Sequence, residues 1–189
     1  MLLEIVFAAG CFWGVEKNFE HFDGVVDVVS GYSGGSYEDP TYELVLENRT
    51  LQNEGFLAAL KNIGKSDAEI AADETLVNHT ESVRVTYDSS IVSTEVLIKN
   101  FWQIHNPTQV DGQGNDIGNN YRSALYWTTE TQRDIAFRTK DEFQALLTAE
   151  GYGAIVTEMK PLDTFWPAED YHQDFLLKNP YGYCPEYST

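Results

Sequence analysis

Cysteine is scarce here: the 189-residue chain has two, too few for a disulfide framework. A cysteine that matters in such a chain does so by its reactivity, in a reducing compartment, and the expected location is cytoplasmic. Basic side chains are also few, 12 Lys and Arg against 30 Asp and Glu, for a formal charge of −18. That excess repels phosphate backbones and anionic lipid, so neither nucleic acid nor membrane is an expected partner. No apolar run reaches the roughly 18 residues that a spanning helix needs. The opening MLLEIVFAAG lacks the basic head of a signal peptide, so the N-x-T triplets at Asn48 and Asn78 read as chance rather than glycosylation sites. There is no repeat, heptad run or low-complexity segment. What is present is a composition 42% hydrophobic and 13% aromatic, enough to bury the core of a single domain.

Residues 3–9 (LEIVFAA) have the length of a strand, and Gly10 ends it. From Cys11 onward, Phe12, Val15, Phe19 and Phe22 recur at helical spacing. VVDVVSGYSGG reads as a strand entering a glycine turn. EDPTYELV reads as a helix start, with Asp39 as cap and Pro40 in the first turn. Residues 47–77 are polar and helix-prone, with a capping box at 66–69, a surface excursion. TESVRVTYD (80–88) alternates as a strand. Residues 93–105 form an amphipathic helix with Val96, Leu97, Phe101 and Ile104 inward. Residues 106–121 have no period at all, a signature of function inside a compact domain. A strand at 122–128 precedes a long helix to about 149. AIVTEM is a further strand, PAEDYHQDFLLK a further helix, and 179–189 a turn-rich, mobile tail. Strands and helices mix without strict alternation, so the fold class is α+β, a sheet covered by helices.

Two features carry chemistry. The first is the strand–Gly–Cys–helix junction around Cys11. Unpaired amides and the dipole at a helix start favour a thiolate, and a thiol there typically titrates at about 3.5–7.5. The alternative is a small buried hydrophobe, and the residues alone leave both open. A thiol phosphatase would need arginine where Cys-x5-Lys supplies Lys17. The second feature is Glu81, which shares a strand face with Val83, Val85 and Tyr87. Burial there raises a carboxyl's pKa, and holding it neutral near pH 7 takes about 4 kcal/mol. A neutral buried carboxyl is a proton donor; a glutamate at a strand's first turn that reaches water is the plainer outcome. Glu169, Asp170 and His172 lack the spacing of a metal site, so no metal and no cofactor is expected. His79 reads as a brace for the Glu81 strand.

GCFWGVE (10–16), GYSGG (31–35), DPTYELV (39–45), QGNDIGNNYRSALY (113–126), AEDYHQ (168–173) and the NPYGYC tail together resemble the type A peptide methionine sulfoxide reductases. The matches keep family order and span residues 4–184. The resemblance implies a two-layer α+β sandwich, a mixed sheet covered by helices in an elaborated ferredoxin-like arrangement. It implies Cys11 as nucleophile on the sulfoxide sulfur, Phe12 and Trp13 as the wall around the substrate methyl, and Glu81 as proton donor to the oxygen. Tyr42 and Tyr121 would hydrogen-bond that oxygen, and Asp116 would support the network. Cys11 would become a sulfenic acid, which condenses with a second thiol. Cys184 is the implied partner, and thioredoxin the implied reductant of the disulfide. The substrate would be the S epimer of methionine sulfoxide, free or in proteins.

The sequence departs from the family pattern at Asn78, where glycine is usual, and at Asn119–Asn120, where Thr-Gln is usual. The 47–77 stretch is longer than the usual link, and one recycling cysteine is expected rather than two. These departures motivate a second expectation, a non-catalytic reader of oxidised methionine on the same fold.

Overall fold

A computed structural model describes residues 1–49 and 76–182. Its strands are β1 (Leu2–Ala8), β2 (Val25–Ser33), β3 (Thr80–Asp88), β4 (Gly112–Gln113), β5 (Asp116–Ile117), β6 (Ala124–Trp127), β7 (Glu158–Pro161) and β8 (Phe165–Pro167). Its helices are α1 (Phe12–Phe19), α2 (Tyr42–Glu47), α3 (Thr94–Gln103), α4 (Glu130–Ala149) and α5 (Phe175–Lys178), with a 3-10 turn at Asn119–Tyr121. The main sheet runs β7-β6-β1-β3-β2-β8. All pairings in it are antiparallel except β6–β7, so the sheet is mixed. Within it, β1-α1-β2 and β3-α3-β6 interleave as β6-β1-β3-β2. That is the ferredoxin-like order, elaborated by β7 and β8 at the two edges.

Within the run at 3–9, residues 5–9 are continuously apolar because both faces of the chain are covered there. Ile5 and Phe7 point into the main core, while Val6 and Ala8 join Ala124 and Tyr126 beneath Leu162 and Phe165. Helices α1 and α3 pack on the first face. Phe7 lies between Phe19 and Phe101, with ring centroids at 4.7 and 5.1 Å. Gly10 turns the chain from β1 into α1 at φ 93°, a conformation that side-chain-bearing residues rarely adopt. Thr129 and Gln132 cap α4 reciprocally, and Ser93 caps α3.

Several expectations need correction. Helix α2 begins at Tyr42 with Thr41 as its cap, accepting from the Leu44 amide. Asp39 instead takes a positive φ of 49°, so neither it nor Pro40 lies in the helix. Val96 is 47% exposed, and its place in the core is taken by Ile98 and Trp102. The strand expected at 154–159 forms over Glu158–Pro161, where β6 offers partners. The helix expected over 167–178 survives only as α5. Its first residue, Pro167, ends β8, which pairs with β2, and Gln173 clamps both the amide and the carbonyl of Ser30. Asp174 then turns left-handed at φ 52°. Tertiary hydrogen bonds override the local helical spacing. The 106–121 loop is more ordered than its composition suggests. Gln113 bonds the backbone of Asn106 and Gln109 that of Gly114, around the β4–β5 hairpin. The expected 47–77 excursion and its capping box lie outside the described residues except at their ends, where Val77 is bonded to Ser36.

One acidic residue on the inner face of α1 escaped the sequence reading. Glu16 is 2% exposed beside Phe12, Val15 and Phe19. Burial raises its pKa to about 7, with the Asp174 amide and Ser30 drawing it part of the way back. The native state therefore binds this proton more tightly than the unfolded chain does. Stability from this group is greatest in acid and falls as pH rises from about 4.5 through about 7. Replacing Glu16 by Gln removes that dependence. Denaturant unfolding should show the variant gaining on the wild type by about 2 kcal/mol between pH 5 and pH 9.

Candidate active site

Cys11 occupies the N-cap position of α1 and makes no side-chain capping bond. The residue is part-exposed. The amide of the next residue, Phe12, donates to Glu81 Oε2 at 3.1 Å. An orphan donor of the first helical turn is thereby satisfied by a carboxyl from the centre of the sheet, and the acid is anchored to the residue that follows the thiol. Glu81 is 2% exposed, on the inner face with Val83, Val85 and Tyr87 as its strand register requires. Burial raises its pKa to about 8, and the charge of Asp116 adds to this. The Phe12 amide and Asn120 pull the other way. Desolvation prevails, and the carboxyl is largely protonated at neutral pH.

The remaining sequence-proposed residues gather round this pair. Tyr42, the first residue of α2, is raised to about 12 by burial and by the charges of Glu81 and Cys11. Tyr121, closing the 3-10 turn, is raised by burial and by Glu81, Tyr42, Asp116 and Cys11. Both phenols stay neutral and able to donate. Asp116 enters from β5. Phe12 is 1% exposed and Trp13 part-exposed beside it, ring centroids 6.3 Å apart. Seven of the eight proposed positions thus converge on one end of the sheet. Cys184 lies outside the described residues. The described chain runs to Gly182, whose α-carbon faces the Phe175 ring; Phe175 in turn stacks on Trp13 at 3.8 Å.

Sequence reading missed the supports of this site. Glu169 accepts the Tyr42 amide at 2.9 Å and the Tyr32 hydroxyl at 2.8 Å. His172, 1% exposed, accepts the Trp13 indole N–H through Nδ1 at 3.1 Å. The E-x-x-H spacing was visible, but the helix expected there would have sent Glu169 to solvent. His79 braces the 35–37 loop rather than β3 itself, through Gly35 N and Tyr37 O. Among the described residues no cluster of His, Cys, Asp or Glu could hold a metal, and no helix is long and apolar enough to cross a membrane.

Two departures from the family pattern explain each other. Asn78 is 2% exposed, donates to Val45 O and to Asn119 Oδ1, and accepts from the Tyr37 hydroxyl. Asn120 is fully buried next to Glu81. Asn78 and Asn119 are thus bonded to each other, and Asn120 lies beside the acid.

Comparison with known proteins agrees with this geometry. A family model described as peptide methionine sulfoxide reductase matches residues 3–57 and 68–189, and its gap falls inside the 47–77 stretch. The peptide methionine sulfoxide reductase MsrA of Rhodospirillum centenum is 42% identical over 179 residues, covering 95% of this chain and 69% of that protein. Methionine sulfoxide reductase A of Corynebacterium diphtheriae superposes with a TM-score of 0.80 at 34% identity, over 100% of this chain and 80% of that one. Mxr1 from Saccharomyces cerevisiae in complex with Trx2 shares the fold, with a TM-score of 0.55 and 20% identity over 98% of this chain and 87% of that one. A thiol and a neutral acid joined across a helix start, in a chain alike over nearly its whole length to proteins of one name, lead to a single conclusion: this chain belongs to the peptide methionine sulfoxide reductase family.

Proposed function

We propose that this chain, as a single cytoplasmic catalytic domain, reduces methionine (S)-sulfoxide, free or in proteins, to methionine. The observation that supports this most directly is the 3.1 Å bond from Phe12 N–H to Glu81, which sets a buried acid beside a part-exposed thiol. A sulfoxide oxygen leaves poorly until protonated, and a neutral carboxyl flanked by two phenols meets that need.

The Cys11 thiolate attacks the sulfoxide sulfur while Glu81 gives its proton to the oxygen, with Tyr42 and Tyr121 donating hydrogen bonds to it. The S–O bond breaks as oxygen passes to Cys11. Methionine leaves, reduced by two electrons, and Cys11 remains as a sulfenic acid. Phe12 and Trp13 hold the substrate methyl against apolar surface, and Asp116 supports the polar network. Cys184 then attacks the Cys11 sulfur, water departs and a disulfide forms. Two residues beyond Gly182 span about 7 Å when extended, and Gly182 already lies against the ring stacked on Trp13. Thioredoxin, a dithiol reductant, returns the pair to thiols. A yeast protein of this fold is known in complex with Trx2.

Three outcomes test this reading. Cys11→Ser abolishes methionine formation from the S epimer under dithiothreitol. An active serine variant, or sulfoxide peptide bound by the wild type without methionine appearing, overturns the assignment. Cys184→Ser retains one turnover per active site and loses thioredoxin-driven cycling, as rapid-quench and steady-state assays would respectively show. Because Glu81 titrates near 8, its acid form is lost as pH rises through that value. The single-turnover rate should decline above pH 8 in the wild type. In Glu81→Gln it should be about 10²–10⁴-fold lower and lack that decline.

A further inference from the structure

The two sides of the proposed pocket, Trp13 from α1 and Tyr42 from α2, are not in one element and share no backbone hydrogen bond. They are joined instead through the turn between β8 and α5. His172 sits between them as a wedge. Its ring centroid lies 5.7 Å from that of Trp13, 4.7 Å from Tyr42 and 5.0 Å from Phe12. Because an indole N–H can only donate, the 3.1 Å bond from Trp13 to His172 Nδ1 leaves that nitrogen the acceptor and puts the proton of a neutral imidazole on Nε2. Nε2 is buried without a hydrogen-bond partner and faces Glu169 Oε2 at 3.8 Å. The same carboxylate accepts the Tyr42 amide and the Tyr32 hydroxyl. Burial works to raise Glu169, yet these donors and His172 hold it below the usual carboxylate range, so it stays charged.

We propose that Glu169 and His172 are positioning residues which set the separation of Trp13 and Tyr42, and so decide where the sulfoxide's methyl and oxygen come to rest. This rests on the function proposed above. Neither residue needs to touch the reacting atoms: Glu169 works through the amide and hydroxyl it anchors, His172 through the indole it orients. A histidine that merely filled the core would be replaceable by an apolar side chain of similar size. A histidine serving as an acceptor would be replaceable only by another acceptor. Asparagine places its oxygen close to the position of Nδ1, whereas leucine has none. Glutamine at 169 can still accept from the Tyr42 amide, whereas alanine cannot.

The experiment is single-turnover reduction of methionine (S)-sulfoxide by pre-reduced wild type, E169A, E169Q, H172L and H172N over a range of substrate concentrations, with thermal melting of each. Expected is a rise of about tenfold in half-saturating substrate for E169A and H172L, with the limiting rate within threefold of wild type, and recovery of most of that loss in E169Q and H172N. Should E169A fail to fold, the H172L and H172N pair carries the same test. Half-saturation within twofold of wild type in every folded variant overturns the proposal. So does a fall in limiting rate with half-saturation unchanged, or equal impairment of H172L and H172N. A wild type that forms no methionine would instead overturn the function itself, and leaves a result distinct from each of these.

Discussion

The bond between the Phe12 amide and the Glu81 carboxyl is the constraint on which the site depends. It joins the start of α1 to β3 and satisfies an amide that the helix cannot satisfy internally. Sheet register makes it possible. β1 and β3 pair antiparallel from Leu2↔Asp88 to Phe7↔Val83, and two residues further along the same register bring Ala9, just past the end of β1, level with Glu81. Gly10 then turns the chain, and Cys11 is the next residue. The thiol's neighbour is therefore fixed by strand pairing, while the chain between them is only a turn.

The electrostatics of the site follow from burial rather than from opposite charge. The cation nearest in sequence to Tyr121, Arg122, is turned away, donating to the carbonyls of Asn78 and Asn119 and pairing with Glu158 at 3.3 Å. With Asp116 rather than a cation acting on it, the Glu81 carboxyl keeps its proton. Glu16 shows the same physics one turn along the inner face of α1, where desolvation holds the pKa of a second carboxyl near 7. In a chain with 30 acidic residues, position relative to the core separates the few acids that stay neutral from the many that solvate the surface or pair along α3 and α4, as Glu95 does with Lys99 and Arg138.

Most of the architecture was legible in local patterns. Alternation in 80–88, the apolar run at 3–9 and the spacing of Phe12, Val15 and Phe19 each match one element, because each buries residues in the pattern its own backbone sets. The positions of Cys11 and Glu81 were legible for a related reason. A thiol at a strand–helix junction and a carboxylate in phase with valines are local facts about sequence, but the residues alone left the role of each open and the family resemblance supplied it. The failures share a cause too. Residues 167–178 have helical spacing, but β2 offers a free edge and Gly31 leaves room for close approach; a side chain there would meet the Trp166 carbonyl at 2.3 Å. The edge captured Phe165–Pro167, and the chain could no longer coil.

By itself, then, the sequence determined the alternating faces, most helix starts and the places of Cys11 and Glu81 on their elements, since periodicity and capping act over a few residues and are written in their order. Only the tertiary structure decided which strands are neighbours, that Glu81 meets the amide after Cys11, and that Glu169 and His172 reach back 127 and 159 positions to Tyr42 and Trp13. Those contacts join residues far apart in the chain, and their geometry exists only once the intervening sheet has paired and excluded water.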